Sequence, residues 1–404
     1  MSRAARSFGR DRGPRASRAG ASRARAGRAR DAAASVADLG TIIPLFAALI
    51  VLNGVDAGAA FLVAGALFAA AGLFYGVPVP VQPIKAAGAI AIATGASPAV
   101  IAGAGLVLGA LLLLVAVTGL APLLVRLFPK PIIRGNQLGV GILLVATSIR
   151  LVDGGAVAWI VFGALVGVLV AGSDRAAPVA LMVVAGGVAM SVLSGERAAV
   201  AADPALPGVA LPAMADLRTA FWLLVIPQLP LTLGNAVVGT SDLMGEYYGR
   251  RARRVSVRNL LLTCGAANVA AGAVGGIPLC HGSSGATAYH RFGGRTGMVG
   301  VTIGAAFLVV GGLFASSAVA ILELIPAVAL AALLAVTGVR HAGLASDQRG
   351  RALLVAVVMG VAGGATRNLM LGMAVGLPLY AFLIGVPKAM TSRATRPSAP
   401  AARV

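Results

Sequence analysis

Long apolar runs follow one another from Ala34 to about Val386, separated by short groups of glycine, proline and charged residues. A membrane-spanning helix needs about 20 mainly apolar residues, so this pattern predicts an all-α polytopic membrane protein. It predicts about fourteen spans. They cover residues 34–53, 56–75, 77–95, 97–119, 132–151, 155–172, 177–194, 218–240, 258–274, 277–289, 297–315, 317–339, 351–366 and 368–387.

Composition supports this interpretation. Of the 404 residues, 58% are hydrophobic and only 11% are charged, and the mean hydropathy is +0.92. A soluble protein of this length would need more polar surface to cover its core. The 54 glycines suit helices that approach one another closely in a membrane. Cys264 and Cys280 lie in apolar surroundings, so a disulfide framework is not indicated.

Basic residues alternate between the loops and orient the predicted spans. The loops after even-numbered spans carry most of the Lys and Arg, with the densest group at residues 250–258, whereas those after odd-numbered spans carry few. Only the loop after the second span lacks its expected charge. Because basic loops stay in the cytoplasm, we expect a multi-pass protein of the cell (plasma) membrane with both termini cytoplasmic.

The chain divides into a basic tail, a membrane domain and a short second tail. Residues 1–30 contain ten arginines and one acid with no apolar block, which excludes a secretory signal peptide. We expect residues 1–33 to be disordered and cytoplasmic, in contact with anionic lipid; an organelle transit peptide or a misassigned start codon is the alternative. The membrane domain is predicted over 34–388, with repeats at about 34–194 and 218–388. Residues 389–404 are predicted to form a C-terminal cytoplasmic tail.

Two predicted spans are interrupted in matching places. The third contains GVPVPVQPIKA (76–86), and the tenth, seven spans later, contains GGIPLCHGSSGATAYHRFGG (275–294). Proline removes a backbone donor and forces the preceding residue towards extended geometry, so a helix can resume only near Gln82 and near His281. An odd number of spans per half inverts the second half in the membrane, which predicts a seven-plus-seven inverted repeat with two half-helices.

Paired interrupted segments point to a transporter's binding site near the middle of the membrane. Each half-helix N-terminus carries about +0.5 charge and several free N–H groups, and together they favour an anion. Lys85 would add a full positive charge. Gly282, Ser283, Ser284 and Gly285 would let an oxyanion approach closely and would offer hydroxyl donors. No cofactor and no metal site is indicated.

Four stretches carry a resemblance to a known family. They are DLGTIIP (38–44), VPVQPIK (79–85), PQLPLTLGN (227–235) and IPLCHGSSG (277–285). With them, the chain after residue 33 resembles the MOT1-type molybdate transporter family, a relative of the sulfate permease (SulP/SLC26) group. The resemblance implies the fold of the uracil permease and SulP proteins. In that fold a core of spans 1–4 and 8–11 moves against a gate of spans 5–7 and 12–14.

Several polar residues have both a functional and a structural interpretation. Gln82 and Pro83 open the first half-helix, where Gln82 is a ligand or a helix cap. We place Lys85 at the substrate, although it could instead pair with Asp38. Asp38 is either a structural charge at a helix start or part of a proton pathway or gate. His281 is either a ligand or proton sensor, or a hydrogen-bonded core residue.

Gln228 and Asn235 lie two turns apart on roughly one face of the eighth span. They line the cavity or bond neighbouring helices. The combined prediction is a secondary active transporter that imports molybdate first and sulfate second; it is a symporter, with proton coupling favoured by the charge of the substrate and sodium coupling as the alternative. A homodimer and membrane lipid fit as partners, and nucleic acid does not.

Three other functions stay open at this point. The nearest alternative is a proton-coupled nucleobase or other organic-anion permease of the same fold, and a channel is another. An intramembrane enzyme could use Cys280 and His281. Adjacent helical residues point about 100° apart, however, which makes a poor nucleophile–base pair, so we expect no enzyme.

Overall fold

The computed structural model describes residues 27, 29–172, 179–204 and 206–385. Most of the predicted tail 1–33 and all of the predicted tail 389–404 lie outside the described residues. Residues 29–35 are helical. Within them Asp31 is 5% exposed and accepts hydrogen bonds from the backbone N–H of Arg295 (2.8 Å) and from the hydroxyl of Thr296 (2.5 Å). Residues 29–33, which fall within the predicted tail, thus belong to a helix that contacts the residues just before α12.

Helices make up nearly all of the described structure. They are α1 (Leu39–Val51), α2 (Ala57–Tyr75), α3 (Lys85–Thr94), α4 (Pro98–Thr118), α5 (Ala121–Leu127), α6 (Lys130–Leu151), α7 (Ala156–Ala171), α8 (Val179–Leu193), α9 (Met214–Ala252), α10 (Val257–Ala273), α11 (Ser283–Arg291), α12 (Met298–Leu313), α13 (Ala315–Glu323), α14 (Ala327–Gly343), α15 (Gly350–Ala365) and α16 (Leu369–Tyr380). Two short strands, β1 (Gln82–Pro83) and β2 (Leu279–Cys280), precede α3 and α11. Helix α9 contains π-helical turns at Phe221–Val225 and Thr232–Gly239.

Local sequence explains where several helices begin and end. Asp56, Ser97 and Ser256 accept hydrogen bonds from backbone N–H groups in the first turns of α2, α4 and α10. Such caps satisfy donors that have no partner within the helix. Gly76 and Gly119 end α2 and α4 with φ of 69° and 71°, a left-handed conformation that favours glycine.

Each predicted span overlaps a helix or an interrupted segment, with two differences. The helix predicted over 317–339 is divided into α13 and α14, because Pro326 is extended and cannot donate to the preceding turn. Helices α12 and α13 are bent by 99°. Among the described residues, six helices are long and apolar enough to cross a membrane, or seven if the bent pair is one span. The count of fourteen stays a prediction.

Two helix pairs of the predicted core cross closely at glycines. Helix α2 packs along α12, and α4 packs along α10. At these crossings a Cβ on Gly65 would lie 2.9 Å from the carbonyl of Gly304, and one on Gly109 would lie 2.8 Å from that of Gly265. Only glycine lets the backbones approach so closely. A shift of seven predicted spans exchanges the two pairs, as an inverted repeat requires.

A second group of helices packs around α6, which contacts α14 and α15. Asp347, directly after α14, accepts hydrogen bonds from the guanidinium of Arg134 and pairs with Lys130 at 2.9 Å. These ionic contacts join the first turn of α6 to the end of α14. Helices α6 and α14 of the predicted gate are therefore joined by their own ionic contacts, while both also share one hydrophobic cluster with the predicted core.

Candidate functional site

The two interrupted segments meet at the centre of the bundle. Strands β1 and β2 pair antiparallel, with Gln82 opposite Cys280 and Pro83 opposite Leu279. The N–H of Ile84 donates to the carbonyl of Pro278 at 3.0 Å. Because α3 and α11 begin directly after the paired strands, their N-termini lie at one crossing. This confirms the expectation that the segments come together.

A buried polar cluster occupies this crossing. Lys85 Nζ donates to Gln82 Oε1 at 2.8 Å and to Ser284 Oγ at 3.1 Å. Gln82 Nε2 donates to both carboxylate oxygens of Asp38, at 2.7 Å each. The exposed fractions of Asp38, Gln82 and Lys85 are 1%, 0% and 6%. The cluster thus places a cation and a carboxylate on opposite ends of one amide, while Ser284 itself is exposed.

The hydrogen bonds of Gln82 determine which way its amide points. Its oxygen accepts from Lys85 and lies 3.3 Å from the hydroxyl of Ser284, so its NH₂ group faces Asp38. An NH₂ group can only donate. Asp38 is therefore held in a geometry that suits an ionised carboxylate.

Backbone of the second segment lies directly against this cluster. A Cβ on Gly282 would overlap Gln82 Oε1 and would lie 3.4 Å from Lys85 Nζ. A Cβ on Gly285 would overlap a carboxylate oxygen of Asp38. Glycine at both positions lets the first turn of α11 approach the charged groups. The predicted contact of these glycines with an oxyanion stays a prediction.

The two half-helix N-termini are not equivalent. Gln228 of α9 caps α3: its Oε1 accepts from the N–H groups of Ala86 (2.9 Å) and Ala87 (3.1 Å), and its Nε2 donates to Thr232 Oγ1 (3.0 Å). Helix α11 begins at Gly282, which has no side chain to act as a cap. The α11 N-terminus is therefore the end that can offer backbone donors to an anion.

Ser283 and Asn235 connect α11 to α9. Ser283 Oγ donates to Asn235 Oδ1 at 2.5 Å, and both residues are partly exposed. Asn235 lies in the second π-helical turn of α9, seven residues after Gln228. The structure thus brings both predicted α9 residues to the crossing, one at each half-helix.

His281 has hydrogen-bond partners on both ring nitrogens. Its Nδ1 lies 2.8 Å from the carbonyl of Pro80, which can only accept, so Nδ1 carries the proton. Its Nε2 then accepts from Thr263 Oγ1 (2.8 Å), which lies 2.8 Å from the hydroxyl of Tyr75. The side chain is fully buried. His281 therefore holds the first interrupted segment against α10, and this geometry favours the core-residue interpretation over a ligand.

Several residues at the crossing were not predicted. Thr240 of α9 donates to the carbonyl of His281 at 2.6 Å. Asn268 of α10 both donates to the carbonyl of Leu279 (2.7 Å) and accepts from its N–H (2.9 Å). The amide of Asn268, in the apolar, glycine-rich middle of α10, was the available signal, because such a group needs a partner when buried. Within the described ranges no group of three His, Cys, Asp or Glu side chains could hold a metal ion.

Solved structures share this architecture. The transmembrane domain of a cyanobacterium bicarbonate transporter, BicA, aligns with a TM-score of 0.65 and 19% identity, covering 87% of this chain and 97% of that one. SLC26A9 aligns with a TM-score of 0.63 and 13% identity, covering 90% and 66%. At these identities the likeness establishes the fold. The molecule is a multi-pass membrane protein with the inverted-repeat fold of the SLC26 and BicA transporters.

Sequence comparison then identifies the family. The family model described as molybdate transporter of MFS superfamily matches residues 30–144 and 220–340, more than half of the chain. The chain belongs to this family. Each matched segment contains one of the interrupted segments, as two equivalent repeats would. Because the family consists of transporters, the enzyme alternative with Cys280 and His281 is rejected.

Curated relatives agree. Molybdate transporter 1 of Arabidopsis thaliana is 28% identical over 402 residues, covering 86% of this chain and 87% of the relative. Molybdate transporter 2 of the same plant is 26% identical over 404 residues, covering 86% of each. Molybdate transporter 1 of Chlamydomonas reinhardtii is 33% identical over 226 residues, covering 54% of this chain and 44% of the relative. With the fold, these relatives support an anion as the transported substrate.

Proposed function

We propose that this protein is a secondary active transporter that imports a tetrahedral oxyanion, molybdate first and sulfate second. The observation that carries the proposal is the buried Lys85 ammonium, which bonds Gln82 and Ser284 directly beside the first turn of α11. A buried cation in a membrane protein is costly unless it has a functional partner. The curated relatives named as molybdate transporters supply the choice of molybdate.

The chemistry of the crossing suits a dianion. Lys85 offers a full charge, and the α11 N-terminus offers about half a charge with its free N–H groups. The exposed Ser284 adds a hydroxyl beside Lys85, and glycine at position 282 lets the first turn of α11 lie directly against Gln82 and Lys85. Charge-assisted hydrogen bonds of this kind are roughly twice as strong as neutral ones.

Asp38 is unfavourable to an anion while it is ionised. At an effective dielectric constant of about 20, two like charges about 4 Å apart repel by about 4 kcal/mol. A proton on Asp38 removes this repulsion. It also lowers the charge moved against an inside-negative potential, which opposes import by about 2.3 kcal/mol per charge per 100 mV. We therefore infer proton symport through Asp38.

We further propose that the core moves against the gate to expose the site alternately on the two sides. The protein would lie in the cell membrane with both termini in the cytoplasm, which the alternation of loop charges supports. The exposed Ser284 and the partly exposed Ser283 give the crossing a contact with solvent in the conformation described.

Uptake into proteoliposomes tests the proposal. We expect radiolabelled molybdate to accumulate under an inward proton gradient, and unlabelled sulfate to compete more weakly than unlabelled molybdate. Lys85→Ala should lower uptake about 10- to 100-fold, because a hydrogen bond to a charged group is worth about 1.5–3 kcal/mol. Lys130→Ala is the matched control, since that side chain is 62% exposed on the gate.

Size-exclusion profiles of both variants establish that they are folded. Uptake by folded Lys85→Ala at the wild-type rate would remove Lys85 from the site and overturn the proposal. Uptake of uracil in place of either oxyanion would favour the nucleobase permease instead.

A further inference from the structure

One buried hydroxyl at the crossing has no role in the site described so far. Tyr289 of α11 is fully buried, and its hydroxyl has no hydrogen-bond partner among the described residues. A buried polar group without a partner destabilises a fold, and phenylalanine would fill the same space without this cost. The hydroxyl is therefore expected to have a partner in another state of the protein.

The position of Tyr289 indicates that partner. Gly285, one helical turn earlier on the same face of α11, lies against a carboxylate oxygen of Asp38. Tyr289 continues this face, and a long helical side chain leans towards the helix N-terminus, which here means towards Gly285 and Asp38. On the other side of Asp38, the donor is the NH₂ group of Gln82. Asp38 therefore lies between two neutral polar groups of different hydrogen-bonding capacity.

The two protonation states of Asp38 need different partners. An ionised carboxylate only accepts, which the NH₂ group of Gln82 satisfies. A protonated carboxyl must donate its new O–H to an acceptor. The NH₂ group of Gln82 cannot accept. The amide oxygen of Gln82 points away from Asp38 and already accepts from Lys85. A tyrosine hydroxyl can accept as well as donate. The unpartnered oxygen of Tyr289 is thus an acceptor available to the protonated form.

We propose that Tyr289 is a positioning residue for the coupling proton: its hydroxyl oxygen accepts the hydrogen bond of protonated Asp38, whereas Gln82 holds the ionised form. The inference rests on the proposed proton symport through Asp38. The proton comes from solvent and leaves to solvent, and no other bond forms or breaks. Tyr289 makes no contact with the substrate in this scheme and acts only through Asp38.

Other titratable and charged groups lie around this pair. They are Lys85 of α3, Cys280 of β2, Tyr247 and Tyr248 of α9, His290 of α11, His341 of α14, and Asp31 and Arg295 near the start of α12. Tyr247 stacks on His290 and Tyr248 donates to the carbonyl of Gly294, so these groups already have partners. Thr41 of α1 also lies beside Asp38 with its hydroxyl, whereas the hydroxyl of Tyr289 is the one among the described residues around Asp38 that is buried without a partner.

The test is the pH dependence of molybdate uptake by full-length protein in proteoliposomes. Removing an acceptor from protonated Asp38 favours the ionised form. Tyr289→Phe should therefore move the midpoint of the pH profile to lower pH, by about one unit or somewhat less. Its thermal unfolding midpoint should equal or exceed that of the wild type. Tyr380→Phe, a tyrosine change on α16 in the gate, should leave the pH profile unchanged.

Two results would overturn the inference while symport stands. One is an unchanged pH profile in Tyr289→Phe when Asp38→Asn abolishes the pH dependence. The other is a lower thermal midpoint in Tyr289→Phe, which would show that the hydroxyl already has a structural partner. If folded Asp38→Asn keeps the wild-type pH dependence, the symport proposal fails, and the inference fails with it.

Discussion

At Gly282, a hydrogen atom is the only side chain that leaves room for the polar cluster. A Cβ there would lie 2.9 Å from Gln82 Cδ and 3.4 Å from Lys85 Nζ, and would overlap Gln82 Oε1. Since Gln82 is held by Lys85 on one side and Asp38 on the other, it cannot move aside without breaking one of these bonds. The requirement for glycine at this position is thus set by the polar cluster of Asp38, Gln82 and Lys85.

We therefore expect Gly282→Ala to reduce molybdate uptake to below about one-tenth of the wild type, because a displaced Gln82 loses a charge-assisted contact. Gly245→Ala is the control. Gly245 also lies in a helix, yet its Cβ would meet no atom within 4 Å. The measurement is molybdate uptake per folded protein in the two variants. Equal uptake by both variants would show that Gln82 can reposition freely.

The residues of the site were predictable to different degrees. Local chemistry was enough to select Lys85, Ser284 and Gly282 as candidates, because a cation, a hydroxyl and a glycine beside a helix start all suit an anion. The roles of Gln228 and His281 depend on partners far away in the chain: Ala86 lies 142 residues from Gln228, and Pro80 lies 201 residues from His281. A sequence pattern cannot indicate such contacts. The interpretation of a buried polar residue therefore stayed open.

At the scale of elements, proline spacing predicted the two interrupted segments because proline acts on its immediate neighbours. The π-helical turns of α9 and the bend between α12 and α13 were not predicted. Both depend on packing against other helices, and hydrophobic periodicity carries no information about them. The glycines at the crossings were recognised only as a composition bias, since a glycine does not specify its partner helix.

The two glycine crossings lead to a prediction about the repeat. A Cβ on Gly304 of α12 would lie 2.6 Å from the N–H nitrogen of Ala69, and one on Gly272 of α10 would lie 2.5 Å from the carbonyl oxygen of Ala102. Both contacts are with backbone atoms, which cannot move aside as a flexible side chain can. Gly304→Ala and Gly272→Ala should each lower the free energy of unfolding by about 1–3 kcal/mol.

The comparison within one helix makes this test specific. Gly312 of α12 would place its Cβ at an ordinary 3.5 Å from a Leu62 methyl, so Gly312→Ala should not destabilise the protein. Thermal unfolding in detergent, followed by tryptophan fluorescence, measures all three variants. A large effect at Gly304 with none at Gly272 would contradict the equivalence of the two crossings.

At the scale of the whole molecule, the loop charges and the spacing of the interrupted segments predicted one inverted architecture by independent arguments. Charge alternation depends on the membrane, whereas the interrupted segments depend on backbone chemistry. The structure adds what neither could supply. Helices α2 and α10 exchange roles between the two crossings, and α6, α14 and α15 form a second group of packed helices in the predicted gate. In the proposed alternating access, these two bodies move against each other.

Locking these bodies together tests the transport mechanism. Gly40 of α1 belongs to the predicted core and Ala180 of α8 to the predicted gate. A Cβ on Gly40 would lie 3.0 Å from that of Ala180, close to the roughly 3.5–4.5 Å that a disulfide needs. Because Cys264 and Cys280 are buried and free, a double variant with Gly40→Cys and Ala180→Cys should form the new bridge on oxidation.

We expect the oxidised double variant to lose molybdate uptake and to regain it on reduction, because the bridge joins a helix of the core to a helix of the gate. Molybdate should still raise the thermal midpoint of the oxidised protein, since the crossing of β1 and β2 lies within the core and needs no motion to bind. The single variants, which cannot form the bridge, supply the baseline for both measurements. Transport at the baseline rate with the bridge intact would mean that the substrate crosses without movement between these two bodies, as in a channel.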